Sequence, residues 1–283
     1  MSNSTVTNSP ILVTGGRGAV ARGLSGLLTA HDLPHRLASR EPDSPGTVHC
    51  DLTDPATFPG ALAGVRSVFL YAEAAAIDAF IKEAVTAGVE HVILLSSSSV
   101  LAPDAADSPL SASHLAVEEA LLASPLRTTL LRPGSFASNA RGWAWSLKSG
   151  RPVHLPYPGS HCDPVHEADI AEAAFAVLTN PALAGRAYTL TGPHSLTFTT
   201  QLAILGGVLG RPVPMEAVSP EQWKSEVDGY IPAAYADALL AYWAANDGLP
   251  VEITDAVENL TGHPARSFET WVEDHAAEFA ATA

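Results

Sequence analysis

The residues best placed by type and spacing to do chemistry lie near the start of the chain, in Val13-Thr14-Gly15-Gly16-Arg17-Gly18-Ala19-Val20-Ala21. They follow a short apolar run, Ile11-Leu12-Val13, and precede a stretch with Leu24, Leu27 and Leu28 at helical spacing. The pattern Gly15-x-x-Gly18-x-x-Ala21 suits a strand-to-helix turn. Gly15 makes the turn, Gly18 lets a phosphate reach the backbone, and Ala21 is small enough to pack helix on strand. The opening amides of a helix, together with its dipole, favour an anion at that point. The ligand this predicts is the diphosphate of a dinucleotide, resting on Gly15, Arg17, Gly18, Ala19 and Val20. The bland reading is an ordinary glycine-rich turn.

The tip of the second strand says which dinucleotide. An acidic residue there accepts from the ribose 2′-hydroxyl of NAD. Here the strand ends Leu37-Ala38-Ser39-Arg40, with no carboxylate and a guanidinium next in line. A planar, permanently charged donor suits a 2′-phosphate, and the missing carboxylate removes a repulsion. Ser39 and Arg40 therefore predict NADPH/NADP as cofactor, with Arg17 reaching the phosphate from the other side and Glu41 pointing away. Asp51, with Leu52 beside it, accepts from the adenine amino group or caps the turn before Thr53-Asp54-Pro55. Tyr71 is expected along the adenosine ribose.

These residues need a scaffold of alternating strands and helices. Strands are predicted at Ile11–Val13, His35–Ser39, 47–50, Ser67–Tyr71, His91–Leu95, 128–131 and Ala187–Leu190. Helices are predicted at 18–30, 55–62, 74–87 (stopping at Gly88), 111–123 and 168–178. Residues from Thr199 onward read as mostly helix. The alternation predicts an α/β fold: a doubly wound parallel sheet (Rossmann fold) with a smaller, mostly helical C-terminal substrate-binding part. The expected division is a nucleotide-binding core over 10–135 and a substrate-binding or lid region over 136–283, interleaved with the last strands.

Bulk properties narrow the partners. Of 283 residues, 15 are Lys or Arg and 30 are Asp or Glu, a net charge of −15. Such an acidic chain is a poor match for nucleic acid or an anionic membrane. No apolar run is long enough for a membrane span. Met1–Pro10 is Ser/Thr/Asn-rich and reads as a short disordered lead-in rather than a signal peptide, which with two cysteines, Cys50 and Cys162, outside any metal-spaced cluster predicts a cytoplasmic protein with reduced thiols. The expected partner is a small-molecule substrate, and the expected state a monomer or homodimer.

The ordered set Thr14-Gly15-Gly16-Arg17-Gly18, Asp51-Leu52-Thr53-Asp54, Leu94-Leu95-Ser96-Ser97, Glu118-Glu119-Ala120-Leu121, Leu130-Leu131-Arg132-Pro133-Gly134 and Tyr188-Thr189-Leu190-Thr191-Gly192-Pro193 resembles the NmrA-like, atypical branch of the short-chain dehydrogenases/reductases. The resemblance runs from about Pro10 to about Val213. It implies a nicotinamide nucleotide and a small C-terminal part closing over the substrate. It also implies Ser96 and the loop Pro133, Ser135 and Phe136 as cofactor contacts, Phe136 packing on the ring or in the core, and Ser97 or Ser98 as the serine facing the substrate carbonyl.

One departure matters. Most reductases of this superfamily carry Tyr-x-x-x-Lys, the Tyr donating a proton to the carbonyl oxygen. None of Tyr71, Tyr157, Tyr188, Tyr230, Tyr235 and Tyr242 has a Lys four residues on, and the only lysines are Lys82, Lys148 and Lys224. If Glu118 matches the family's helix glutamate, the Tyr position is Leu110 and the Lys position is His114. His114 contacts the nicotinamide ribose or simply lies on the helix surface. The expected catalytic set is therefore Ser97, Ser98 and His114, the proton coming from substrate or solvent. The substrate class is a polycyclic aromatic polyketide ketone or a quinone, as for aromatic polyketide ketoreductases of antibiotic biosynthesis. A non-catalytic NADP(H)-sensing regulator is the rival, and an isomerase or epimerase a third reading. His161, Asp163 and His166 are expected to fix a loop by hydrogen bonds, with no metal. Trp143, Trp145 and Tyr157 line an aromatic pocket or pack in the core, and Trp223, Tyr230, Tyr235 and Trp243 form a lid or pack.

Overall fold

The structure, a computed structural model, describes residues 9–42 and 46–280. All but the end of the lead-in expected over Met1–Pro10 lies outside the described residues. The chain divides into two units: residues 1–100, 112–132 and 170–188 in the first, and 101–111, 133–169 and 189–283 in the second.

The first unit is built on a seven-stranded sheet. In chain order its strands are β1 (Ile11–Val13), β2 (His35–Ser39), β3 (Val48–His49), β4 (Ser67–Tyr71), β5 (His91–Leu95) and β6 (Arg127–Pro133), with β9 (Ala187–Leu190) last. The spatial order is β3-β2-β1-β4-β5-β6-β9, and the pairings are parallel. The order reverses beside β1, which opens a crevice where open α/β sheets bind ligands. β1, β4 and β5 are near-continuous apolar runs because a parallel sheet is covered on both faces.

Helices α1 (Ala19–Ala30), α2 (Phe58–Leu62), α3 (Ile77–Ala87) and α4 (Ala112–Leu122) connect these strands. Phe58, Leu62, Phe80, Ala84, Val117 and Leu121 bury one sheet face with Leu12, Val68, Leu70, Val92 and Leu94. On α1 the buried set is Val20, Ala21, Leu24 and Leu28. A Cβ on Gly23 would stand 3.1 Å from that of Ala171, so bare glycine lets α1 approach helix α6 (Glu167–Thr179) closely. Helix α3 stops at Gly88, whose φ of 82° is the left-handed cap expected of it.

In the second unit β7 (Val153–Leu155) pairs with β11 (Met215–Ala217), and β8 (His161–Cys162) with β10 (Leu196–Thr197). The helices are α5 (Ala144–Lys148), α7 (Phe198–Leu209), α8 (Pro220–Glu226), α9 (Ala233–Ala245), α10 (Ala256–Thr261) and α11 (Phe268–His275). Trp271, fully buried, centres one core, and its indole N–H donates to Glu167 at 2.8 Å. Trp223 and Leu240 centre another, between α8 and α9. No helix among the described residues is long and apolar enough to cross a membrane.

Candidate functional site

The glycine turn follows β1 directly. Gly15 has φ +65°, a left-handed conformation that costs glycine nothing. The Gly16 N–H donates to the Ala38 carbonyl at 2.9 Å and the Gly18 N–H to that of Gly15 at 2.7 Å. The first of these bonds ties the turn to the end of β2, bringing Gly15 to Gly18 beside Ser39 and Arg40. Thr14 makes the other tie. Its hydroxyl donates to the Phe69 carbonyl at 3.1 Å and accepts the Tyr71 N–H at 2.9 Å. Helix α1 begins without a side-chain cap, and its first ladder bond is Arg22 N–H to Gly18 carbonyl at 3.0 Å. The N–H groups of Arg17, Ala19 and Val20 have no partner among the described residues. Unpaired donors at the positive end of a twelve-residue helix fit a diphosphate.

At the tip of β2 the Ser39 side chain is buried and tied into its own turn, donating to the Glu41 carbonyl at 3.0 Å. Arg40 is exposed and forms no hydrogen bond or ion pair with the described residues. Glu41 departs from expectation. It turns back to Arg17, carboxylate to guanidinium 3.2 Å, with both side chains more than half exposed. The residue turns back because Ser39 bonds both its N–H and its carbonyl. So exposed a pair is worth at most about 1 kcal/mol and is easily exchanged for a phosphate. Asp51 caps the turn: its Oδ1 accepts the Thr53 N–H at 2.9 Å and hydroxyl at 2.8 Å. Those two bonds, with a smaller contribution from Arg40, hold its carboxyl below the usual range. Leu52 is half-buried against the core.

At the ends of β5 and β6 the polar groups satisfy one another. Ser96, expected on the cofactor, is 3% exposed, and its hydroxyl donates to Glu118 Oε1 at 2.5 Å. Glu118, 2% exposed, also takes Arg132 through Nε at 2.9 Å and a terminal nitrogen at 2.5 Å. The Ser96 side chain is thus a lock inside the fold, and its N–H donates to the Leu131 carbonyl at 2.8 Å. This trio was not read from the sequence, although Arg132 at the end of the apolar run Thr128–Leu131 signalled a buried partner. Ser97 accepts from the Ser99 N–H at 3.2 Å and hydroxyl at 2.8 Å, which leaves its own proton to donate. Ser98 is half-buried at the start of a 3₁₀ turn. His114 lies one helical turn before Glu118. Burial holds its imidazole below the ordinary histidine range, against the opposing pull of the Glu118 charge, and its Nδ1 is buried without a partner. Leu110, aligned in the sequence with the family's tyrosine, precedes α4 and has no hydroxyl to donate.

Pro133 ends β6, and the chain continues through Gly134, Ser135 and Phe136 in the second unit. There the Asp163 carboxylate lies flat on Gly134, where any Cβ would meet it at 1.8 Å, and its Oδ1 accepts the Ser135 N–H at 2.9 Å. Burial pushes the Asp163 carboxyl up to about 6, against the lowering pull of that bond. Phe136 bridges Val165 through its backbone. Tyr242 reaches this cluster from α9. Burial, then the Asp163 and Cys162 charges, push its phenol up to about 12, and the Ser135 hydroxyl opposes them. The other two residues of the metal-like set have protein partners: His161 the Ser195 hydroxyl at 3.0 Å, and His166 Asp274 at 3.3 Å. Trp143 packs edge-on against Phe198, and Trp223 and Trp243 against each other, whereas Trp145 is exposed with Arg151 over its ring. Both cysteines are buried, and burial raises Cys50 to about 11 and Cys162 to about 12, so neither is a ready nucleophile.

Residues 15–181 match the model of a family described as NAD(P)H-binding. The chain is 34% identical to a (4-alkanoyl-5-oxo-2,5-dihydrofuran-3-yl)methyl phosphate reductase of Streptomyces griseus, over 95% of this chain and 99% of that one. It is 32% identical to an NAD(P)H azoreductase of Xenophilus azovorans, over 96% and 99%. In fold it is similar to the crystal structure of an NADPH-dependent quinone oxidoreductase of Escherichia coli complexed with NADPH, with a TM-score of 0.79, 23% identity, and coverage of 94% and 99%.

Proposed function

This chain belongs to the NAD(P)H-binding, NmrA-like family of atypical short-chain dehydrogenases/reductases, and from that premise we propose that it is an NADPH-dependent reductase of conjugated carbonyl compounds. The observation that carries the cofactor choice is the tip of β2. The strand itself ends in Ser39 rather than an acid, and Arg40 stands exposed, with no hydrogen bond or ion pair among the described residues, beside a glycine turn with three open amides. The amides of Arg17, Ala19 and Val20 would hold the diphosphate. Arg40 would grip the 2′-phosphate, joined by Arg17 once Glu41 lets go. Asp51 Oδ2 is left to meet the adenine edge, since Oδ1 serves Thr53.

When bound, the coenzyme supplies a hydride from its nicotinamide ring. The chain's own contribution at the reacting carbonyl is a hydrogen bond rather than a strong acid. Ser97 keeps a proton to donate, Leu110 has none to give, and His114 is held neutral by burial. A general acid is typically worth about 10²–10⁴-fold, so the substrate must make up that loss itself. A ketone flanked by a phenol, or a quinone, does so by spreading the new negative charge or by an internal hydrogen bond. This favours a polycyclic aromatic polyketide ketone or quinone, with the proton coming from substrate or solvent. It accords with relatives named for an oxo-dihydrofuran, an azo compound and a quinone, all of which take electrons into a conjugated system.

The test is NADPH oxidation by the purified protein with paired ketones, each with and without a hydroxyl beside the carbonyl, and with quinones. Turnover of the hydroxyl-bearing ketones and quinones, and little with the bare ketones, is the expected result. Inertness toward the whole panel, with tight binding of both NADPH and NADP, would point to the regulator instead.

A further inference from the structure

The glycine turn carries something that its motif does not explain. The Tyr71 ring lies across it. A Cβ built on Gly15 would stand 2.6 Å from Tyr71 Cδ2, and one on Gly18 would stand 2.5 Å from the phenol oxygen. Both distances are far inside van der Waals contact. The remaining neighbours of a Gly18 Cβ are looser, the Gly15 carbonyl at 3.2 Å and Tyr71 Cζ at 3.3 Å. Gly18 itself has φ −72° and ψ 151°, extended backbone that alanine adopts without strain. Within the described structure the one severe overlap at Gly18 is therefore with the hydroxyl of Tyr71; the other two contacts are tight and need shifts of a few tenths of an ångström.

The ring has little room to yield. Gly15 lies against one edge, and Phe69 packs against it edge-to-face at 5.8 Å between centroids. The Tyr71 backbone is fixed by the bond to Thr14, and the phenol faces the Ala21 N–H in the first turn of α1. Tyrosine is thus wedged beneath the turn whose open amides belong to Arg17, Ala19 and Val20.

We propose that Tyr71 is a positioning residue for the coenzyme: it holds the glycine turn in the shape that aims those three amides outward, and Gly18 is bare to admit the Tyr71 hydroxyl rather than the diphosphate. This rests on the nucleotide reading above and reassigns one glycine within it. A phosphate that needed Gly18 for close approach would be blocked by a methyl group whatever stood at position 71. A hydroxyl that needs it is relieved by removing one oxygen.

The experiment is a rescue. Wild type, Gly18→Ala, Tyr71→Phe and the double variant are titrated with NADPH, NADH and ADP-ribose by calorimetry, with circular dichroism to establish folding. Gly18→Ala alone should weaken all three ligands by about tenfold or more, a change of about 1.4 kcal/mol or more. Adding Tyr71→Phe should bring all three back to within about threefold of wild type. Failure of the second change to restore binding would overturn the proposal, because Gly18 would then serve the ligand directly. If Gly18→Ala does not fold, Tyr71→Ala carries the test. A wedge predicts that its loss weakens NADPH, NADH and ADP-ribose by a common factor, whereas unchanged or tighter binding would overturn it. Absence of binding to wild type would instead refute the nucleotide reading, so the two failures are distinct.

Discussion

Two strand ends of the first unit, both made of polar residues, are built in opposite ways. At the end of β1 the backbone is left open, with three amides unpaired among the described residues and an exposed arginine nearby that forms no ion pair with them. At the ends of β5 and β6 the charges are closed on themselves: Ser96 and Arg132 both donate to Glu118, and the three are largely shielded from water. Unsatisfied donors beside a crevice suit a ligand that brings its own charge. A satisfied buried ion pair suits stability of shape, since removing one partner strands the other. The contrast teaches that conspicuous polar residues at a sheet's carboxyl edge need not share a role.

The sharpest way to break this contrast is to attack the closed end. Arg132→Met should leave Glu118 buried and uncompensated, lowering stability by about 3–5 kcal/mol in chemical denaturation. A loss below about 1 kcal/mol would mean that the trio is no lock. Attacking the open end should do the reverse, sparing stability and changing ligand choice. Arg40→Asp should weaken NADPH by about 10- to 100-fold, the worth of a charge-assisted bond, while moving NADH far less. Equal losses for both coenzymes would remove Arg40 from the phosphate.

A smaller effect sharpens the catalytic side. His114→Asn should change kcat by no more than about threefold, well under the 10²–10⁴-fold worth of a general acid. A drop of that larger size, with a pH profile that loses its histidine limb, would make His114 the proton donor. The smallest effect concerns the loop after β6. The Asp163 carboxyl, raised to about 6, is ionised in the unfolded chain at lower pH than in the folded one. Its contribution therefore makes stability fall as pH rises from about 4 to about 6, with the full cost present above that window. Denaturation of Asp163→Asn across this range should show a shallower decline than wild type. An identical slope would deny the burial effect.

Much of this was legible in the sequence, for definable reasons. β1, β4 and β5 fall where apolar runs placed them, because a strand covered on both faces has no polar alternation to blur its ends, and β2 and β9 also match their expected bounds. The helix starts were less legible: 74–87 shortens to Ile77–Ala87, and 55–62 opens with a 3₁₀ turn at Pro55–Thr57 before α2. The missing Tyr-x-x-x-Lys needed only inspection. What stayed hidden were side-chain partnerships across long sequence separations. Glu41 was expected to point away and instead meets Arg17, because the turn around Ser39 reverses the chain within two residues. Ser96 was expected on the cofactor, but its buried position just after β5 sends its hydroxyl to Glu118. Tyr71 was placed by position alone, and nothing in its neighbours in sequence announces that it fills the space beside Gly15 and Gly18.

The most direct measurement of the central claim is calorimetric titration of the unmodified protein with NADPH and with NADH, at one fixed salt concentration. Saturable one-to-one binding of NADPH, at least about tenfold tighter than NADH, is what the open amides and the exposed Arg40 require. No heat with either coenzyme, or a preference for NADH, would contradict it.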